Sequence, residues 1–142
     1  MITYIDTSIL LKLILEETGS DRAAMIWRSA DTVAAASIGY VEARAALGAA
    51  HRNRRLSRLQ LGRAKQSLDL LWSQLSVVEV TIELVAMAGE YADRLALRGY
   101  DAVHLAAAST IGADVFSSAD RRLCDVAGRI GFHVADPTDI GQ

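Results

Sequence analysis

Short apolar runs recur along this chain, each followed by a longer stretch with helical spacing, and this alternation constrains the fold more than any other feature. Residues 2–5, 32–36, 77–80, 113–116 and 132–134 read as strands, being short and rich in β-branched, aromatic or small apolar residues. A helix is expected over 8–15, ending around Thr18 and Gly19. Ser20 is expected to cap a second helix running towards Arg28, and Ser37 a third running towards His51. Ser57 is read as the cap of a fourth, in which Leu61, Leu68, Leu71, Trp72 and Leu75 recur at helical spacing. Thr81 opens a fifth towards Leu97, with Arg98 and Gly99 as its stop; Asp101 opens a sixth, and residues 121–127 form a seventh. Strands alternating with helices predict an α/β fold with a parallel sheet covered on both faces.

A chain of 142 residues that is 51% hydrophobic and 23% charged is long enough to bury a core as one domain over 1–142. Asp6 and Lys12 interrupt the amino-terminal apolar run, so neither a signal peptide nor a membrane span is expected there. The lone Cys124 has no partner for an internal disulfide, which suits a cytoplasmic protein. The net charge of −2 matters less than its distribution. No acid lies between Ala43 and Leu68, where Arg44, Arg52, Arg54, Arg55, Arg58, Arg63 and Lys65 supply seven of the fifteen basic side chains. That stretch suits a polyanion; it also suits a solvated helix face or a surface for an acidic partner.

Four acids stand at element ends. Asp6 closes the first strand, Glu42 lies early in the third helix, Asp101 opens the sixth, and Asp120 follows the fourth strand. In open parallel sheets, sites form beyond the carboxyl ends of the strands, so the topology sends all four to one edge. Each also has a structural explanation: Asp6 as an N-cap, Asp101 and Asp120 as first-turn acids, Glu42 as a solvated helix residue. Together they are harder to explain that way, because clustered carboxylates must take up protons or share a cation. Oxygen ligands suit Mg²⁺ or Mn²⁺, whereas one cysteine excludes a thiol-rich zinc site, and His51, His104 and His133 form no zinc motif. His104, one turn after Asp101, reads first as a packed, hydrogen-bonded helix residue, and only second as a cleft residue. Thr7, Ser8 and Ser118 are near enough in sequence to fix a carboxylate or to bind water, although Thr7 and Ser8 suit backbone capping equally well.

Ile5-Asp6-Thr7-Ser8, Ser37 followed by Glu42, Tyr100-Asp101-Ala102-Val103-His104-Leu105-Ala106 and Ser118-Ala119-Asp120 together resemble the PIN-domain ribonucleases, and among them the VapC-type toxins. The resemblance spans nearly the whole chain. It implies a PIN-like three-layer fold, with a central, mostly parallel sheet flanked by helices. It also implies a Mg²⁺- or Mn²⁺-dependent endoribonuclease whose acids are Asp6, Glu42, Asp101 and Asp120. Ser118 takes a position where the family more often has threonine, keeping the hydroxyl. Such toxins are commonly homodimers held inactive by a cognate antitoxin, a partner that only the resemblance implies.

The chemistry expected is phosphodiester hydrolysis by a water whose pKa the cation lowers. Asp6 and Asp101 are the expected direct ligands, with Glu42 and Asp120 acting through water or a second ion. Ser8 and Ser118 support them, and Arg52, Arg54, Arg55 and Arg58 are expected on RNA phosphates. Two alternatives stand beside this reading: a PIN-like binding module without relevant nuclease activity, and a DNA-directed metal nuclease. A receiver domain is disfavoured because strand three ends in Val80-Thr81 and the only lysines, Lys12 and Lys65, come early. A haloacid-dehalogenase-type phosphatase wants Asp-x-Asp after strand one, where this chain has Asp6-Thr7-Ser8.

Overall fold

The computed structural model describes residues 1–139. In chain order the elements are β1 (Ile2–Ile5), α1 (Thr7–Ile14), α2 (Ser20–Ser29), β2 (Thr32–Ala36), α3 (Ile38–Arg52), α4 (Arg58–Trp72), β3 (Ser76–Val78), α5 (Ile82–Leu95), α6 (Gly99–Thr110), β4 (Val115–Ser117), α7 (Arg121–Arg129) and β5 (His133–Ala135). The strands form one sheet in the order β3-β2-β1-β4-β5, and all four pairings are parallel.

The sheet divides two apolar clusters because successive side chains of a strand point to opposite faces. Tyr4, Ala34, Ala36 and Phe116 face α5, α6 and α7, where they meet Leu84, Leu105, Leu123 and Val126. Ile5, Val33 and Ala35 face α1 to α4 and pack with Ile9, Leu10, Leu47 and Leu68. The result is the three-layer α/β architecture that the alternation predicts. β1 and β2 lie inside the sheet and are buried on both faces, which is why they read as continuous apolar runs. Small residues let the layers approach: Ala106, Ala107 and Ala108 of α6 are fully buried. Trp27 and Trp72 pack against the second cluster, as core residues rather than stacking surfaces.

The caps explain where several helices begin. Ser57 makes a reciprocal capping box with Gln60, and Thr81 accepts from the Leu84 amide at 3.1 Å. Two other expected caps are corrected. Ser20 is the first residue of α2, and Gly19, at φ 90°, takes the cap position, a left-handed conformation that glycine adopts without strain. Ser20 instead ties the preceding loop, accepting from the Glu17 amide and donating to the Leu15 carbonyl, both at 2.9 Å. Ser37 is already helical in backbone and makes no side-chain cap.

The end of α5 is also corrected. It closes at Leu95, because Ala96 turns left-handed at φ 53°, so Arg98 and Gly99 do not stop this helix. Arg98 is the extended cap residue of α6 and Gly99 its first residue. β3 covers 76–78 rather than 77–80, as an edge strand paired only with β2.

Candidate active site

With β1 central, the chain passes to β2 on one side and later returns to β4 on the other. The carboxyl ends of β1 and β4 therefore flank the point where strand order reverses, the usual crevice of open α/β sheets. The β1–β4 register ends at Ile5 opposite Ser117, so the next residues, Asp6 and Ser118, emerge side by side. The Ser118 hydroxyl donates to Asp6 Oδ2 at 2.6 Å. Asp6 Oδ1 accepts from the Ser8 hydroxyl at 2.5 Å and from the Ser8 amide at 3.0 Å, with the Ile9 amide at 3.4 Å. Asp6 is thus both the N-cap of α1 and a buried carboxylate at the strand end, 7% exposed. Burial pushes its carboxyl above the ordinary range, against the opposing pull of His104 and of the bonds from Ser118, Ser8 and Ile9.

Asp120 combines two roles in the same way. It caps α7 by accepting from the Leu123 amide at 3.2 Å, while its own amide donates to Ser118 Oγ at 3.0 Å. Asp101 lies in the first turn of α6. The Arg98 guanidinium connects these two acids, with Nε 3.0 Å from Asp101 Oδ2 and Nη2 3.6 Å from Asp120 Oδ2. The side chains of Leu97, Arg98, Asp101, Asp120, Arg122 and Leu123 line a small cleft of about 130 Å³.

Glu42 enters from α3. Its Oε1 accepts from the Thr7 hydroxyl at 2.8 Å and lies 2.7 Å from His104 Nε2. Burial alone would push its carboxyl up, but the bonds from His104 and Thr7 outweigh that and hold it below the ordinary range. Behind it, Tyr4 Oη is 2.7 Å from His104 Nδ1, and burial pushes the Tyr4 phenol well above its usual value.

These contacts join all four acids at one edge. Asp6 and Asp120 share Ser118, Asp120 and Asp101 share Arg98, and Glu42 touches His104, which sits one turn beyond Asp101 on α6. Among the described residues, no three acid, histidine or cysteine side chains converge as a ready-made cation cage. Each carboxylate instead has its own hydrogen-bond donors. The donor set nevertheless suits a hard divalent cation, being carboxylate and hydroxyl oxygens, and one cationic group already spans Asp101 and Asp120.

Arg52, Arg54, Arg55 and Arg58 are not brought to this edge. Arg52 follows Glu42 by ten residues on the same helix, about 15 Å along its axis. Arg55 and Arg63 instead line a concavity with Leu15, Glu16 and Glu17, beyond the far end of α1. The sequence reading missed the part Arg98 plays, because Arg98-Gly99 looked like a helix stop. It also missed Tyr4. His104 is packed and hydrogen-bonded as expected, and in addition it touches Glu42.

Comparison with known proteins identifies the family and the fold. The PIN domain family matches residues 3–129. Ribonuclease VapC45 of Mycobacterium tuberculosis (strain CDC 1551 / Oshkosh) is 39% identical over 136 residues, covering 94% of each chain. The sarcin-ricin-loop-cleaving toxin VapC20 of Mycobacterium tuberculosis superposes with a TM-score of 0.69 at 21% identity, over 92% of this chain and 95% of that one. VapBC2 of Rickettsia felis, solved bound to a promoter DNA fragment, gives 0.69 at 15% identity, over 96% and 98%. Among the described residues no helix is long and apolar enough to cross a membrane. The chain belongs to the PIN domain family, and within it to the VapC-type toxins of toxin–antitoxin modules.

Proposed function

We propose that this chain, as a single PIN-like unit over 1–142, is a Mg²⁺- or Mn²⁺-dependent endoribonuclease, the toxin of a pair that a cognate antitoxin holds inactive. One observation carries the reading. Asp6, Asp101 and Asp120, from three separate elements, lie along one edge of the sheet at its switch point, linked in turn through Ser118 and the Arg98 guanidinium. Carboxylates brought to one strand-end crevice, two of them already sharing a cationic group, suit a shared divalent cation and a phosphodiester substrate.

Asp6 and Asp101 hold the cation, and Glu42 and Asp120 act through water or a second ion. When bound, the cation lowers the pKa of an attacking water and offsets charge on the departing oxygen. Ser8 and Ser118 orient Asp6 and favour its ionised form by donating to both its oxygens. Asp120 is the most exposed of the four acids at 38%, which suits a role at the substrate side. Arg52, Arg54, Arg55 and Arg58 hold RNA phosphates away from the scissile one, in keeping with Arg52 lying about 15 Å beyond Glu42 along α3 and the other three following it in the chain. The working form is a homodimer.

The test is to incubate the purified chain and its Asp6→Asn form with total cellular RNA, with Mg²⁺, Mn²⁺ or chelator, and to map new ends. Single-stranded DNA serves as a parallel substrate. Discrete RNA cuts that need both cation and Asp6 support the reading. Cutting of DNA alone would make it a DNA-directed nuclease, and no cutting by the folded, cation-loaded protein would make it a binding module.

A further inference from the structure

We propose that Tyr4 and His104 are positioning residues for Glu42: a buried hydrogen-bonded chain, anchored on the backbone of β2, holds one Glu42 oxygen and leaves the other for the reaction. The donor directions are fixed at both ends of the chain. The Ala36 N–H can only donate, and it lies 3.1 Å from Tyr4 Oη, which accepts. At the other end the Glu42 carboxylate can only accept, so His104 Nε2, 2.7 Å from Oε1, is the donor. The Tyr4 hydroxyl and His104 Nδ1, 2.7 Å apart, close the chain between them. The Thr7 hydroxyl donates to the same oxygen at 2.8 Å. Both donors converge on Oε1, so Oε2 is the oxygen left to a water or a cation.

Packing makes this chain rigid. Tyr4 is 0% exposed and His104 3%. The Tyr4 ring stacks on Phe116 at 5.6 Å and meets the His104 ring edge-on at 5.9 Å, which fixes the direction of its hydroxyl. β1, β2, α1, α3 and α6 each contribute one group. α6 therefore supplies an acid, Asp101, and one turn later the brace for another, since residues three apart share a helix face. A residue that orients a carboxylate in this way typically changes metal affinity or activity about 10- to 100-fold when it is removed.

The kinetic arm rests on the nuclease reading; the spectroscopic arm does not. In the unmodified, ¹⁵N-histidine-labelled protein, long-range proton–nitrogen correlations should show a hydrogen on His104 Nε2. A ring whose Nε2 carries no hydrogen overturns the inference without any variant being made. His104→Leu should then lower kcat on RNA, or Mn²⁺ affinity by calorimetry, about 10- to 100-fold with KM for RNA unchanged. His104→Gln, whose amide can donate in place of Nε2–H, should restore most of the loss. If His104 acts through Glu42, the His104→Leu loss should vanish in a Glu42→Gln background. An equal loss in that background, or no rescue in a folded His104→Gln protein, overturns the inference. Should the native chain cut no RNA, the nuclease reading fails, while the tautomer and the Mn²⁺ affinities still decide the positioning role.

Discussion

Ser118→Ala tests how the chain keeps a buried carboxylate charged. The Ser118 side chain is fully buried, donates to Asp6 Oδ2 at 2.6 Å and accepts from the Asp120 amide at 3.0 Å. A hydrogen bond to a charged group contributes about 1.5–3 kcal/mol and a neutral one about 0.5–1.5 kcal/mol, so the expected loss where Asp6 is ionised is about 2–4.5 kcal/mol. The unfolding entropy of a 142-residue chain is roughly 0.3 kcal/mol/K, which makes this a fall of about 7–15 °C in Tm.

The loss should also depend on pH. Asp6 is an acid whose folded value is raised, so the folded chain keeps this proton where the unfolded chain has released it. By linkage, the metal-free protein loses stability as pH rises from about 3.9, the unfolded value, through the folded value of Asp6, and then levels off. The Ser118 hydroxyl opposes that shift, so its removal raises the Asp6 value further and extends the loss upward in pH. The gap between the native and variant proteins should therefore be smaller near about pH 4 than at neutral pH, because it widens as pH rises through the raised folded value of Asp6. Thermal unfolding by circular dichroism in chelator, at both pH values, measures it. An Asp6→Asn background should remove the pH dependence of the gap. A gap under about 2 °C, or one equal at both pH values, would refute the assignment of Ser118 as the stabiliser of ionised Asp6.

Asp6→Asn should abolish turnover yet leave the metal-free protein at least as stable as the native one at neutral pH. It removes a buried charge while asparagine still caps α1; a Tm several degrees lower in chelator would contradict this. Arg98→Gln should tighten Mn²⁺ binding several-fold by calorimetry, since the guanidinium competes for Asp101 and Asp120, and weaker binding would contradict that competition. Replacing Arg52, Arg54, Arg55 and Arg58 by alanine should flatten the log–log salt dependence of RNA binding by up to about 3, at roughly 0.7 per phosphate contact on a single strand. An unchanged slope would assign the cluster to solvent or to a protein partner. The Cys124 thiol, pushed up to about 12 by burial and by the charges of Asp136, Asp6 and Asp120, should resist alkylation until the chain unfolds, and quick native-state labelling would disprove its burial.

How much of this was legible beforehand follows from the range of each signal. The strand and helix alternation, the Ser57 and Thr81 caps, and the four acids at element ends are local features, set by residues within a turn of each other. A linear reading therefore recovers them. Asp6 and Asp120 are helix caps that also stand at the strand-end edge, so the two explanations weighed for them are not exclusive. Ser20 and Arg98-Gly99 misled for the opposite reason: their local chemistry fits more than one helix boundary, and backbone geometry chose between them. Gly19 at φ 90° and Ala96 at φ 53° made that choice. Ser37, by contrast, stands at the expected cap position and lacks only the side-chain bond.

The sequence by itself determined the α/β class, the parallel sheet and the set of acids, because hydrophobic period and capping are properties of neighbouring residues. Only the tertiary structure decided which groups those acids meet. Ser118 reaches Asp6 across 112 positions, His104 reaches Glu42 across 62, and Tyr4 reaches His104 across 100. No periodicity encodes such pairs. They exist because the order β3-β2-β1-β4-β5 sets β1 beside β4, and because one close-packed face holds Tyr4 against α6 at hydrogen-bond distance.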